Sequence, residues 1–173
     1  MQAYYYEIPA YLQHTEKEAI ICDEQQVGTI QRVYSNGLKK VIDRMFDQKY
    51  FVQIDTKIGD FAPVTCKKIQ RKGKIYYDAI EEGQSLYRIA YIGWKELIPD
   101  LMISNKKEQM TLEMNREGWS PFLYNEKTIA RWRADYIEEK DTFRITFEML
   151  EDSPFQNPAL FLAIAQAALF IGA

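Results

Sequence analysis

The stretch KKIQRKGK, residues 67–74, gathers the densest set of chemically capable side chains. Lys67, Lys68, Arg71, Lys72 and Lys74 are basic, and none of its residues is acidic. Arg71-Lys72-Gly73 reads as a hairpin tip, with the arms setting further positive charge beside it. The chemistry on offer is the holding of anions. An anionic lipid headgroup, or another phosphate-bearing ligand, gains roughly 1 kcal/mol from each Lys or Arg near the surface. A blander role stands beside it, a solubilising hairpin whose charges discourage edge pairing. These five residues are the candidate ligand-binding set.

A second group, Trp119, Phe122, Tyr124, Arg131, Trp132 and Arg133, combines residue types that anchor protein interfaces. The alternation of Ala130, Trp132 and Ala134 against Arg131 and Arg133 turns Trp132 inward and favours core packing for it. Catalysis finds no such foothold. The one histidine, His14, lies in a polar turn beside Thr15 and makes neither a metal site nor a triad. Cys22 and Cys66 form no metal or redox motif and read as two small buried thiols of a reducing cytosol. Glu81-Glu82 and Glu138-Glu139 read as solvated turns, because carboxylate catalysis needs two groups held roughly 5–10 Å apart in a cleft. Neither a GxxxxGK[ST] loop nor a G-x-S-x-G elbow is present. The expectation is a non-enzymatic protein without cofactor, catalytic residue or metal ligand.

Charge and composition narrow the partners. A net charge of −3 and a pI near 5.3 argue against nucleic acid, whose binders carry a dominant basic field. The start, MQAYYYEIPAYLQH, lacks a basic segment followed by an apolar core, so no secretory signal is expected and the location is expected to be cytoplasmic. At 173 residues, 47% of them hydrophobic, the chain suits one domain with a substantial core.

The elements that must carry these residues are of three kinds. The last, Asn157 to Ala173 (NPALFLAIAQAALFIGA), opens with an N-cap Asn and a first-turn Pro and places Gly172 as a stop. It is apolar on every side, with Gln166 its sole polar interior residue, so it must be enclosed by protein or by lipid. Its 16 residues from Pro158 onward make about 24 Å of helix, short of the roughly 30 Å hydrocarbon core of a bilayer. The flank Glu151-Asp152 is acidic, which gives a membrane anchor no support. The segment is expected inside the protein. Leu160, Phe161, Leu162, Ile164, Leu169, Phe170 and Ile171 would then contribute on the order of 10–20 kcal/mol gross. The second kind is one amphipathic helix, Leu38 to Asp47, with Leu38, Val41, Ile42, Met45 and Phe46 on a single face expected to pack down.

Everything else reads as roughly ten to twelve short strands. The clearest is Thr142 to Leu150, where Phe143, Ile145, Phe147 and Met149 alternate with Thr142, Arg144, Thr146 and Glu148. Ser85 to Trp94 is apolar on both faces, as for a strand covered twice, whereas Trp94 to Asp100, with Pro99, reads as irregular or as a short turn of helix. A barrel of about twelve strands closed on side chains alone would leave a hole, and a wholly apolar helix would fill it. The fold class is therefore mainly β: a closed antiparallel barrel of about twelve strands, the hydrophobic C-terminal helix through its centre, and one amphipathic helix outside.

With its terminal helix, its early strand pair at Val27 to Tyr34 and its Leu38 to Asp47 helix, the chain resembles the tubby C-terminal-like superfamily. That superfamily includes tubby domains, phospholipid scramblases and plant LURP-one-related proteins, and the chain is most similar to its small bacterial members. The resemblance covers nearly the whole chain. It implies a twelve-stranded barrel threaded by the terminal helix and, through the phosphoinositide binding of tubby domains, a ligand at exposed Lys and Arg. The expected function is a binding module for an anionic lipid headgroup or other phosphate-bearing ligand at Lys67 to Lys74, peripheral at the membrane. The rivals are a protein partner held at Trp119 to Arg133 in a scaffolding role, and scramblase-like action with the C-terminal helix inserted.

Overall fold

The computed structural model describes residues 1–83, 85–95, 98–150 and 152–171, and of residues 94 and 95 the backbone alone. Glu151 of the acidic flank and the Gly172 stop lie outside the described residues.

Period-two alternation organises the chain into twelve strands. They are β1 (Gln2–Pro9), β2 (Glu18–Cys22), β3 (Gln25–Arg32), β4 (Gln53–Ile58), β5 (Val64–Arg71), β6 (Lys74–Glu81), β7 (Leu86–Lys95), β8 (Ile98–Ser104), β9 (Gln109–Leu112), β10 (Ser120–Tyr124), β11 (Lys127–Ile137) and β12 (Thr142–Met149). Each pairs antiparallel with the next, and β1 closes the ring on β12 from Gln2↔Met149 to Pro9↔Thr142. Closure leaves no free edge. Helix α1 (Gly37–Met45) interrupts the meander between β3 and β4, and helix α2 (Pro158–Ala168) ends it.

Turn chemistry sets the register of three hairpins. Asp23-Glu24, Lys72-Gly73 and Asn125-Glu126 all hold positive φ, the two-residue turn whose twist matches that of the flanking strands. Pro99, expected in an irregular segment, instead lies within β8. It pairs with Trp94 just past the bulge between Ile92 and Trp94, the kind of site where a strand tolerates proline. Nor is β7 covered twice: Tyr87 and Ile89 are buried while Leu86 and Arg88 face solvent, as a barrel with filling on one side only requires.

The filling is α2. All of its residues are buried. It lies along β4, β5 and β6. Phe161 packs on Phe122 of β10 and Phe147 of β12, with ring centroids 5.0 and 5.6 Å away. Tyr6 of β1 donates from its hydroxyl to Gln166 Oε1 at 2.7 Å. Contacts with strands on opposite sides of a closed ring put the helix within it. Its sole polar interior residue is thus a hydrogen-bonded one. At the other end Asn157 caps the helix, its Oδ1 accepting from the Ala159 N–H at 3.0 Å. Its Nδ2 donates to the Ala62 carbonyl and to Glu81 Oε1 at 2.9 and 2.7 Å. Glu81, read from sequence as half of a solvated turn, is buried because it receives this amide. Helical geometry stops at Ala168, and Leu169 to Ile171 continue as a turn.

Candidate functional site

The end of the barrel where α2 finishes carries the densest polar construction. Arg32, the last residue of β3, shares the inward parity of Ile30 and so sends a guanidinium into the barrel mouth. It donates to Asp43 Oδ2 at 3.0 Å, to the carbonyls of Gln48 and Phe51 at 2.8 Å each, and to the carbonyl of Leu12. It also lies over the rings of Tyr34 and Phe170, 4.8 and 4.5 Å from their centroids. Asp43 of α1 is fully buried and saturated. Besides Arg32 it accepts from the Tyr34 hydroxyl and from the Phe51 N–H at 2.8 Å. Burial pushes the Arg32 guanidinium down in pKa, against the opposing pull of Tyr34 and Asp43. A buried pair of this kind is costly to break from one side only.

This pair decides how α1 sits. To bury Asp43, the helix lays its polar side on the barrel, where the Lys40 carbonyl also accepts from Gln13 Nε2 at 2.9 Å. The apolar face expected to pack down therefore points outward: Leu38 is 67% exposed, Val41 57%, Met45 76% and Phe46 55%. Ile42 alone of that set is half-buried. After the helix, Asp47 and Gln48 take positive φ in succession, a turn that directs the Gln48 carbonyl to Arg32.

Between α1 and β5 lies a small crevice of about 30 Å³, lined by Lys39, Lys67 and Lys68 together with Tyr34, Ser35 and Phe51. Lys39 Nζ stands 5.3 Å from the Phe51 ring centroid. Lys68 continues the inward parity of Val64 and Cys66, and its Nζ donates to the Lys49 carbonyl at 2.6 Å. Burial pushes the Lys68 amine down. Lys67, Arg71 and Lys74 project from the opposite, outer face of the hairpin, with Arg71 directly across from Lys74 and Lys72 in the turn. Strand alternation sends Lys68 inward and Lys67, Arg71 and Lys74 outward; of the five predicted basic residues, Lys67 and Lys68 border the crevice from these two faces, and Arg71, Lys72 and Lys74 lie beyond it at the hairpin tip. Sequence reasoning missed Lys39, Arg32 and Asp43. Their signals were a charge at an inward strand position and an acid inside an amphipathic helix.

The tubby C-terminal-like domain model matches residues 4–171. The chain belongs to this family. Searches of curated proteins and of solved structures found no match to the chain. Domains of the tubby-like family are typically binding domains and generally not enzymes.

Other predicted groups fall elsewhere on this tubby-like barrel. His14 is half-buried and pairs with Glu18 Oε1 at 2.5 Å, at the rim of a largely apolar cavity of about 200 Å³ that Gln166 and Arg32 also line. Burial raises the pKa of both thiols, Cys22 and Cys66, and they sit on different strands, so neither is an activated nucleophile. Glu138 and Glu139 are exposed in a short 3-10 turn. Phe122 and Trp132 are core residues, while Trp119 lies half-exposed against the guanidiniums of Arg131 and Arg133, 4.5 and 4.9 Å from its ring centroid. Tyr124 donates to Glu108 Oε2 at 2.5 Å. Among the described residues no group of three metal-ligating side chains converges, and no helix is long and apolar enough to cross a membrane.

Proposed function

We propose that this tubby-like domain is a binding module for an anionic headgroup. One observation carries it: Lys39 from α1 and Lys67 and Lys68 from β5 line a single crevice. Three lysines bordering one small opening raise the local positive potential, which an anion at that opening would offset. Ser35 lines the same crevice. The lowered pKa of Lys68 supports the same reading, since burial penalises its charged form and a bound phosphate group would restore it. The rival protein-binding reading has less support, because Arg131 and Arg133 are already paired, with Glu148 at 2.6 Å and Asp135 at 3.0 Å.

Flotation with phosphatidylserine-containing and with neutral phosphatidylcholine vesicles tests this. The full chain is expected with the anionic vesicles at low salt, and Lys67→Glu/Lys68→Glu is expected to lose them. Equal recovery on both vesicle types would overturn the reading. Affinity should also fall as pH rises through the lowered pKa of Lys68, before the ordinary lysine range near about 10.4. Lys68→Arg, which keeps its charge, should bind on through that range.

A further inference from the structure

The exposed row on α1 is the unusual surface of this molecule. Leu38, Val41 and Met45, spaced by three and four, stand side by side on one face. Phe46 and Tyr50 extend the row beyond the helix, with ring centroids 5.4 Å apart and both rings exposed. Ile75, also exposed, pairs across the hairpin with Gln70, whose amide reaches the Tyr50 carbonyl at 3.4 Å. The row stands clear of both the lysine crevice and the apolar cavity. A contiguous apolar surface of this kind marks a place where something else binds.

Its rim says what. Lys39 and Arg44 flank the row on α1, and the hairpin that carries Arg71, Lys72 and Lys74 reaches this end of the barrel, where the Gln70 amide meets the Tyr50 carbonyl. The acids of the helix segment do not cancel this charge. Asp43 is internal and neutralised by Arg32, which leaves Asp47 as the exposed carboxylate. Apolar side chains ringed by long cationic ones match the boundary of an anionic bilayer, where the first reach below the headgroups and the second remain among them.

We propose that α1 is an interfacial docking element. Leu38, Val41, Met45 and Phe46 enter the headgroup–acyl boundary of an anionic bilayer while the neighbouring lysines hold headgroups. The inference rests on the headgroup reading above and asks more of the ligand: a bilayer surface, not a free phosphate compound. It also accounts for an orientation of α1 that leaves the apolar side uncovered.

The test compares the full chain with its Leu38→Ser/Val41→Ser/Met45→Ser variant on phosphatidylserine-containing vesicles and on soluble inositol hexakisphosphate. Because the three side chains are exposed, the variant should fold and melt as the wild type does. Its partitioning onto vesicles is expected to weaken by at least about tenfold, with inositol hexakisphosphate affinity unchanged. Equal vesicle binding by the two proteins would overturn the docking role and leave the headgroup reading standing. Wild type that binds the soluble polyanion but not vesicles would do the same. Wild type that binds neither removes the headgroup reading, and the docking role with it. A wild-type dimer in solution that the variant converts to monomer assigns the face to a second copy of this chain and overturns the proposal.

Discussion

Arg32 and Asp43 give the residue scale its lesson: one buried charge pair outweighs a hydrophobic stripe. Turning α1 over would cover four large apolar side chains, each contributing roughly 1.5–3 kcal/mol. It would also leave the Arg32 guanidinium in the barrel mouth without its carboxylate, and an uncompensated buried charge costs several kcal/mol. The geometry adopted keeps the pair and sacrifices the stripe. Asp43→Ala should therefore destabilise the fold by about 3–5 kcal/mol in urea unfolding, since the Tyr34 hydroxyl and the Phe51 N–H lose their acceptor and the buried Arg32 loses its counter-charge. A loss below about 1 kcal/mol, the range of a surface ion pair, would show that the pair does not hold α1 down.

At the scale of elements, three of the hairpins are fixed where two residues accept a left-handed conformation. Asn125-Glu126 meets this with Asn, which tolerates it, and Glu, which does not. Glu126→Gly would create the favoured Asn-Gly turn and is expected to stabilise the protein by about 0.5–1 kcal/mol, read as a higher urea midpoint at unchanged slope. An unchanged or lowered midpoint would mean that the β10–β11 turn is held by its strands alone. The β5–β6 hairpin, whose Lys72-Gly73 turn already has its glycine, shows what turn geometry does for function. The fixed register sends Lys68 one way and Lys67, Arg71 and Lys74 the other, so a run of basic residues is divided between two faces of the hairpin.

At the scale of the whole molecule, barrel and helix are each incomplete without the other. Phe161 is where they meet, packed among Phe122, Phe147 and Phe155. Phe161→Ala should cost about 3–5 kcal/mol by calorimetry or urea unfolding, because a rigid ring of strands cannot collapse onto the space left behind. Near-neutral behaviour would mean that the helix is not the packing centre.

The sequence by itself determined the architecture, for a local reason. Alternation along β12, the turn residues between strands and the unbroken apolar surface of α2 are properties of neighbouring residues, and they leave few ways to bury what must be buried. It also marked the β5–β6 hairpin as basic and kept Trp132 in the core. Only the tertiary structure decided which side of α1 faces out, that Glu81 is buried, and that Lys39 joins Lys67 and Lys68 while Arg71, Lys72 and Lys74 stand apart. Those outcomes depend on partners in other elements: Arg32 of β3 for Asp43 of α1, and the helix cap Asn157 for Glu81 of β6. No local pattern carries the free energy of such contacts, so the helix periodicity identified α1 correctly and could not say which of its faces would win.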